Sequence, residues 1–224
     1  MSKHILMIVT SHDQINATRK TGLWFEEFAE PYRVFQEQGY QVTVASPKGG
    51  VAPIDPNSLP ETPDETLMAV IQATTRLETL QPADYDAVFL PGGHGTMFDL
   101  PDDRVGRVIG LFADAGKVIG AVCHGPAGLV GARLANGTPI VQGYRLTSFT
   151  NEEEAAAHLV DEMPFLLQTR LVELGASFEG APMWQDHVVV DRRLVTGQNP
   201  QSSLRTAQAV VGLLERIPDQ ESMR

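Results

Sequence analysis

Val118-Ile-Gly-Ala-Val-Cys123-His124-Gly-Pro-Ala-Gly-Leu129 reads as a buried strand that runs into a tight turn and then into a helix. Five apolar residues in a row suit a strand covered on both faces, as in a parallel sheet. Gly125, Pro126 and the small Ala127 and Gly128 suit a sharp strand-to-helix reversal. Cys123, the chain's one cysteine, then sits at the carboxyl edge of a sheet, where open α/β folds keep their ligands. The nearby helix N-terminus favours thiolate over thiol, so the spacing predicts a depressed Cys123 pKa. The pattern is that of a nucleophile elbow with cysteine in place of serine. Read alone, it equally suits a buried structural cysteine.

Working outward, strand and helix signals alternate. Ile5–Val9 reads as a buried strand and Ser11–Gly22 as a polar loop. A helix is expected over Leu23–Gln38, kinked or divided at Pro31. Further strands fall at Gln41–Ala45, Ala87–Leu90, Thr138–Val141, Arg145–Phe149, His187–Val190 and Leu194–Thr196. Further helices fall at Thr66–Gln72 and Asp103–Ala115. Asn151 is the expected N-cap of another helix, which Pro164 restarts or kinks, and a last helix follows Asn199. This alternation predicts an α/β fold: a three-layer sandwich with a mostly parallel, doubly wound, flavodoxin-like sheet and helices on both faces. With 224 residues and no dividing linker, one domain over 1–224 is expected.

A net charge of −11 argues against nucleic acid or an anionic membrane surface as partner. A lone cysteine excludes an internal disulfide and fits a reducing compartment. The apolar run before Ser11 is too short for a signal peptide or a membrane span, so a cytoplasmic protein is expected.

Three features are placed to act on Cys123. His124 can take the thiol proton and return it. Glu26-Glu27 starts the first helix; spacing alone favours a solvated pair, and the alternative is that one carboxyl points over the sheet edge, where a protonated glutamic acid would stabilise a thiolate. Glu152-Glu153-Glu154 opens a later helix; most such runs are simply a charged helix start, and the functional alternative is that one member orients His124. Pro91-Gly92-Gly93-His94-Gly95 follows a strand, and its glycines let N–H groups turn toward a ligand; with the His124 N–H they would form an oxyanion hole. There is no Walker lysine, and the scattered histidines with one cysteine give no metal-ligand pattern, so neither metal nor cofactor is expected.

Together these stretches resemble the ThiJ/PfpI superfamily, which shares the class I glutamine amidotransferase fold, and within it the glyoxalase III-like branch with its heat-inducible chaperone-like members. The resemblance rests on Thr21–Glu27, Ala45–Gly50, Pro53–Asp55, Phe89–Gly95, Ala121–Pro126, Thr147–Glu154, Pro164–Leu167 and Leu194–Ser203, in order along nearly the whole chain. It implies Cys123 as nucleophile, His124 as base and Glu27 as the acid that contacts the cysteine. The third triad member is a glutamate in the Asn-Glu-Glu segment, Glu153 in preference to Glu154. Gly92, Gly93, His94 and His124 supply the oxyanion and substrate-binding positions. Asp55 and Trp184 match family positions without a mechanism of their own.

The implied activity is a glutathione-independent glyoxalase. A small 2-oxoaldehyde such as methylglyoxal becomes a 2-hydroxy acid, D-lactate, through a Cys123 hemithioacetal, a hydro-lyase reaction without cofactor, in a homodimer. Two alternatives stay open: a cysteine hydrolase, peptidase or amidase of the same superfamily, and a holdase chaperone or oxidation sensor using Cys123. A glutaminase is disfavoured, because Val188-Val189 follows His187 where that class carries a late His-x-Glu pair.

Overall fold

In the computed structural model, which describes residues 2–216, strands and helices alternate. The ends of the domain expected over 1–224 lie outside the described residues. The first half holds β1 (His4–Ile8), α1 (Phe25–Glu37), β2 (Gln41–Ser46), α2 (Glu65–Gln72), β3 (Thr75–Arg76), β4 (Ala87–Leu90), α3 (Thr96–Asp99) and α4 (Asp103–Asp114). The second holds β5 (Val118–Val122), α5 (Ala127–Val130), β6 (Arg145–Leu146), α6 (Asn151–Ala156), α7 (Leu167–Glu173), β7 (Ser177–Phe178), β8 (Val188–Asp191), β9 (Leu194–Gly197) and α8 (Ser203–Glu215).

Seven strands form one sheet in the order β3-β2-β1-β4-β5-β9-β8, parallel throughout except that β8 runs antiparallel to β9. Side chains alternate between its faces. Leu6, Ile8, Val88, Leu90, Ile119 and Ala121 enter one core, with Val105, Ile109 and Phe112 of α4 and Leu171 of α7. Ile5, Met7, Phe89, Val118 and Val195 enter the other, with Phe28 and Phe35 of α1 and Val210 and Leu214 of α8. Both faces are thus covered, which is why the strands read as unbroken apolar runs. This is the flavodoxin-like three-layer α/β arrangement that the alternation of elements predicts.

After β1 the chain first builds β2 and β3 to one side, then returns to place β4 on the other. The order reverses between β1 and β4, and a crevice opens beyond the carboxyl ends of strands at such a switch point. The loops after β1, β4 and β5 meet there.

Several local expectations are corrected. Helix α1 is not divided at Pro31: it runs as one helix through that residue. A proline there removes one backbone hydrogen bond, and the helix remains packed by Phe28, Tyr32, Val34 and Phe35. Thr138–Val141 forms no strand; it has a single bridge, Arg133 to Pro139, beside a turn at Gly137. Arg145–Phe149 is a strand only over Arg145–Leu146, paired with β7 in a separate two-stranded sheet. Thr147 then donates its N–H to Thr196 Oγ1, which ends the pairing. Helix α6 is capped by Thr150, not Asn151. The helix after Cys123, α5, is one turn long and so has little dipole to offer the thiol.

Candidate active site

Cys123 occupies the turn between β5 and α5 with φ at 58°, the left-handed region that a residue with a side chain enters only under constraint. Its N–H donates to the Gly197 carbonyl and its own carbonyl accepts from the Phe149 N–H, each at 2.9 Å. The turn closes through the Gly125 N–H on the Val122 carbonyl at 2.7 Å. A Cβ at position 125 would lie 2.0 Å from the Leu90 carbonyl oxygen, so the elbow requires glycine there. This bend lets adjacent residues 123 and 124 both face the crevice.

His124 links the thiol to a carboxylate. Its Nδ1 lies 3.3 Å from Cys123 Sγ and its Nε2 lies 2.7 Å from Glu154 Oε2. With Nε2 against a carboxylate, the hydrogen-bond pattern assigns the proton to Nε2 and leaves the Nδ1 lone pair for the thiol. Burial pushes the His124 pKa down and the neighbouring His94 adds to the effect, with Glu154 opposing both. The imidazole is therefore held neutral, as a base must be. Burial alone would raise Glu154, but His124 and His94 more than offset it and hold its carboxyl well below the usual range. His94 Nε2 lies 2.9 Å from Glu154 Oε1, so each carboxylate oxygen has its own imidazole.

The glutamate that reaches His124 is Glu154, which corrects the preference for Glu153. Thr150-Asn-Glu-Glu153 forms a capping box: the Thr150 hydroxyl accepts from the Glu153 N–H and Glu153 Oε2 accepts from the Thr150 N–H at 3.0 Å. Glu153 Oε1 accepts from the Trp184 N–H at 2.9 Å, Gln198 Nε2 at 3.1 Å and Asn199 Nδ2 at 2.8 Å. The fully buried Glu153 side chain thus braces loops. Glu152 is exposed.

Glu27 points inward from the first turn of α1 and is fully buried. Its Oε2 accepts from the Gly92 N–H at 2.7 Å, and the carboxyl interacts with the Cys123 thiol. Burial pushes its pKa up to about 8, against the lowering effect of these two contacts, so the group is mostly protonated at neutral pH. Burial raises the Cys123 thiol as well, and a Glu27 carboxylate would raise it further. The expected depressed cysteine pKa is therefore not found: burial and the Glu27 carboxyl outweigh the lowering effect of the His124 N–H, and α5 is too short to compensate. At neutral pH the two groups do not repel each other, because both carry their protons.

The oxyanion expectation is narrowed. The Gly92 N–H is occupied by Glu27, and a Cβ at Gly92 would come within 2.5 Å of that carboxyl. Among the described residues, neither the Gly93 N–H nor the His124 N–H donates to a backbone carbonyl, and the His124 N–H lies against the Cys123 sulfur, where it works to lower the thiol pKa. The His94 imidazole serves Glu154, a role not anticipated from the Gly-Gly-His-Gly turn. Thr96 Oγ1 joins the two loops by donating to the carbonyls of Gly93, at 2.8 Å, and His124, at 3.0 Å.

Over Cys123 opens a cleft of about 280 Å³. Its lining includes the aromatic Trp24, Phe149 and Trp184 and the charged Arg19, Glu26 and Asp55. The ligand atoms of His94, His124 and Glu154 lie within 4.8 Å of one another, a set able to hold a divalent ion. In the arrangement described they bond to one another, and an ion there would break the hydrogen bonds that orient His124. No helix among the described residues is long and apolar enough to cross a membrane.

Residues 22–213 match the DJ-1/PfpI family. Glyoxalase 3 of Candida albicans is 30% identical over 94% of this chain and 98% of its own length. The glutathione-independent glyoxalase HSP31 of Saccharomyces cerevisiae is 30% identical over 95% and 98%. The crystal structure of the Candida albicans glyoxalase III superposes with a TM-score of 0.87 at 28% identity, covering 94% of this chain and 96% of that one. The Rapid Encystment Protein 24 KDa of Francisella tularensis reaches 0.90 at 37% identity, covering 95% and 99%.

Proposed function

We propose, for a chain that belongs to the DJ-1/PfpI family, that it is a glutathione-independent glyoxalase converting 2-oxoaldehydes to 2-hydroxy acids on Cys123. The observation that carries this reading is the set of groups around one sulfur: His124 Nδ1 at 3.3 Å, backed by Glu154 at 2.7 Å from Nε2, and the buried Glu27 carboxyl against the thiol. The near full-length likeness to two proteins named as glyoxalases supports the reaction class.

In this mechanism His124 Nδ1 takes the thiol proton as Cys123 Sγ bonds to the aldehyde carbon. The developing alkoxide is held by the Gly93 and His124 N–H groups and receives the Glu27 proton, which gives a neutral hemithioacetal. Glu27, now a carboxylate, removes the hydrogen from that carbon, and the neighbouring ketone oxygen takes the proton held on His124, which gives an enediol. Glu27 returns its proton to the neighbouring carbon while the hydroxyl on the first carbon gives its own to His124, leaving a thioester of the 2-hydroxy acid. Water then gives a proton to the Glu27 carboxylate as it attacks the thioester carbonyl, and the Cys123 sulfur leaves with the proton held on His124, which restores the thiol, the neutral imidazole and the protonated Glu27. The sum is aldehyde plus one water to one hydroxy acid. No redox cofactor, metal or added thiol is called for. A glutamic acid with a pKa near the working pH suits a group that is acid in one step and base in the next.

The same reading assigns the chain to the hydro-lyase class, as one catalytic domain in a cytoplasmic homodimer. The test is consumption of methylglyoxal without added thiol and its loss in Cys123→Ala. An unchanged rate in that variant overturns the reading.

A further inference from the structure

Trp184 is held in place by more than its own packing. Its φ is 63°, an unfavourable conformation for a bulky residue. The strain persists because the loop around it is tied down at several points. Glu153 Oε1 accepts from the Trp184 N–H, Gln198 Oε1 accepts from the Ala181 N–H at 2.8 Å, and Asn199 Nδ2 donates to the Gln185 carbonyl at 2.8 Å. Two of these three clamps, Gln198 and Asn199, also donate to Glu153. One buried carboxylate, next in sequence to the triad's Glu154, therefore fixes the indole relative to the reacting sulfur.

What is fixed is an aromatic wall with one open side. The Trp184 ring lies 5.6 Å from Phe149, and Phe149 lies 4.4 Å from the His124 ring. Phe149 is buried, whereas Trp184 is 42% exposed and lines the cleft. Backbone strain and a buried polar brace that hold a large apolar side chain half in water are costly to folding, and ligand contact is what such an arrangement provides. The cleft over Cys123 is lined by three aromatic side chains, Trp24, Phe149 and Trp184, whereas a three-carbon aldehyde offers them a single methyl group.

We infer that the cleft takes 2-oxoaldehydes with a planar aromatic substituent, of the phenylglyoxal type, and that Trp184 is the residue that selects them. The aldehyde carbon reaches Cys123 while the aryl ring lies against Phe149 and Trp184 in the tilted or offset contact that aromatic pairs prefer. The inference rests on the glyoxalase reading for its reaction but not for its binding site.

The experiment measures kcat/KM for phenylglyoxal and methylglyoxal, and binding of the matching products, mandelate and lactate, by calorimetry, on the wild type, Trp184→Ala and Trp184→Phe. The wild type is expected to prefer the aryl aldehyde. Trp184→Ala is expected to lower the aryl-to-methyl kcat/KM ratio at least about tenfold and to weaken mandelate binding in parallel. Trp184→Phe is expected to restore most of both. A ratio that stays within twofold in Trp184→Ala, or mandelate bound no more tightly than lactate by the wild type, overturns the inference. Turnover of neither aldehyde, with mandelate binding that still depends on Trp184, overturns the glyoxalase reading and leaves the aromatic site standing.

Discussion

His94 Nε2 and Glu154 Oε1 lie 2.9 Å apart, so the carboxylate that orients His124 is itself held by a second imidazole. The strand-end loop that supplies the Gly93 N–H therefore also fixes the far end of the Cys123–His124–Glu154 chain. This ties the β4 loop, the β5 elbow and the start of α6 into one polar unit beneath the cleft. Its parts are not independent, and the effects of substituting them should not add.

Glu154→Gln is expected to lower kcat by at least about 100-fold with little change in fold. An amide that turns its NH2 toward Nε2 makes that nitrogen an acceptor and moves the proton to Nδ1, the atom that must accept from the thiol. The corresponding change in a serine triad costs far more than a hydrogen bond for this reason. Steady-state kinetics beside a thermal melt would check it; a loss under threefold with an intact melt removes Glu154 from the mechanism.

His94→Gln keeps a donor for Glu154 and removes the second imidazole, which depresses the His124 pKa. His124 should then protonate at a higher pH. The acid limb of the kcat/KM profile is expected to move upward, while activity above the limb is largely retained. His94→Ala, which also loses the donor, is expected to lower the plateau as well. An acid limb that does not move in His94→Gln would show that His94 acts only as a brace.

Much of this arrangement was legible in the sequence. The apolar run before Cys123, the Gly-Gly-His-Gly turn and the strand–helix alternation carry direct physical signatures, and they place the elbow at the sheet edge. The register of the three glutamates is legible too, through a signal that taking Asn151 as the N-cap misses: Thr150-x-x-Glu153 is a capping-box pattern, which commits Glu153 to the Thr150 N–H and leaves Glu154 to reach His124. The thiol pKa was misread because a helix start was expected after the cysteine, and neither its one-turn length nor the burial of Cys123 is written in local spacing. The His94–Glu154 contact joins residues 60 positions apart, so no pattern within either segment announces it.

Glu153→Gln tests the structural role left to Glu153. Its two oxygens accept five hydrogen bonds, from Thr150 N–H and Oγ1, the Trp184 N–H, Gln198 and Asn199. An amide NH2 cannot accept, so at least one buried donor is left unpaired, at about 2 kcal/mol. For a chain of this size that corresponds to a Tm lower by roughly 4–8 °C. A Tm within 1 °C or so of wild type would contradict the bracing role.

Glu27 is expected to make stability and thiol reactivity depend on pH together. Its carboxyl is raised from 4.5 to about 8 on folding, chiefly by burial. Between those values the folded state binds more protons than the unfolded one, so Glu27's contribution to stability falls as pH rises from about 4.5 to 8, by at most about 1.4 kcal/mol per pH unit. Glu27→Gln cannot ionise, and its Tm should gain on wild type progressively from pH 5 to pH 9. The same substitution removes the charge that would raise the buried Cys123 thiol. Wild-type alkylation by iodoacetamide should therefore be slow at pH 7 and still climbing above pH 9, and the Glu27→Gln curve should lie at lower pH. A Tm difference independent of pH would place the proton elsewhere than on Glu27. A wild-type thiolate plateau already reached at pH 7 would require the cysteine, not the carboxyl, to be the ionised partner, and the first proton transfer would then need no base.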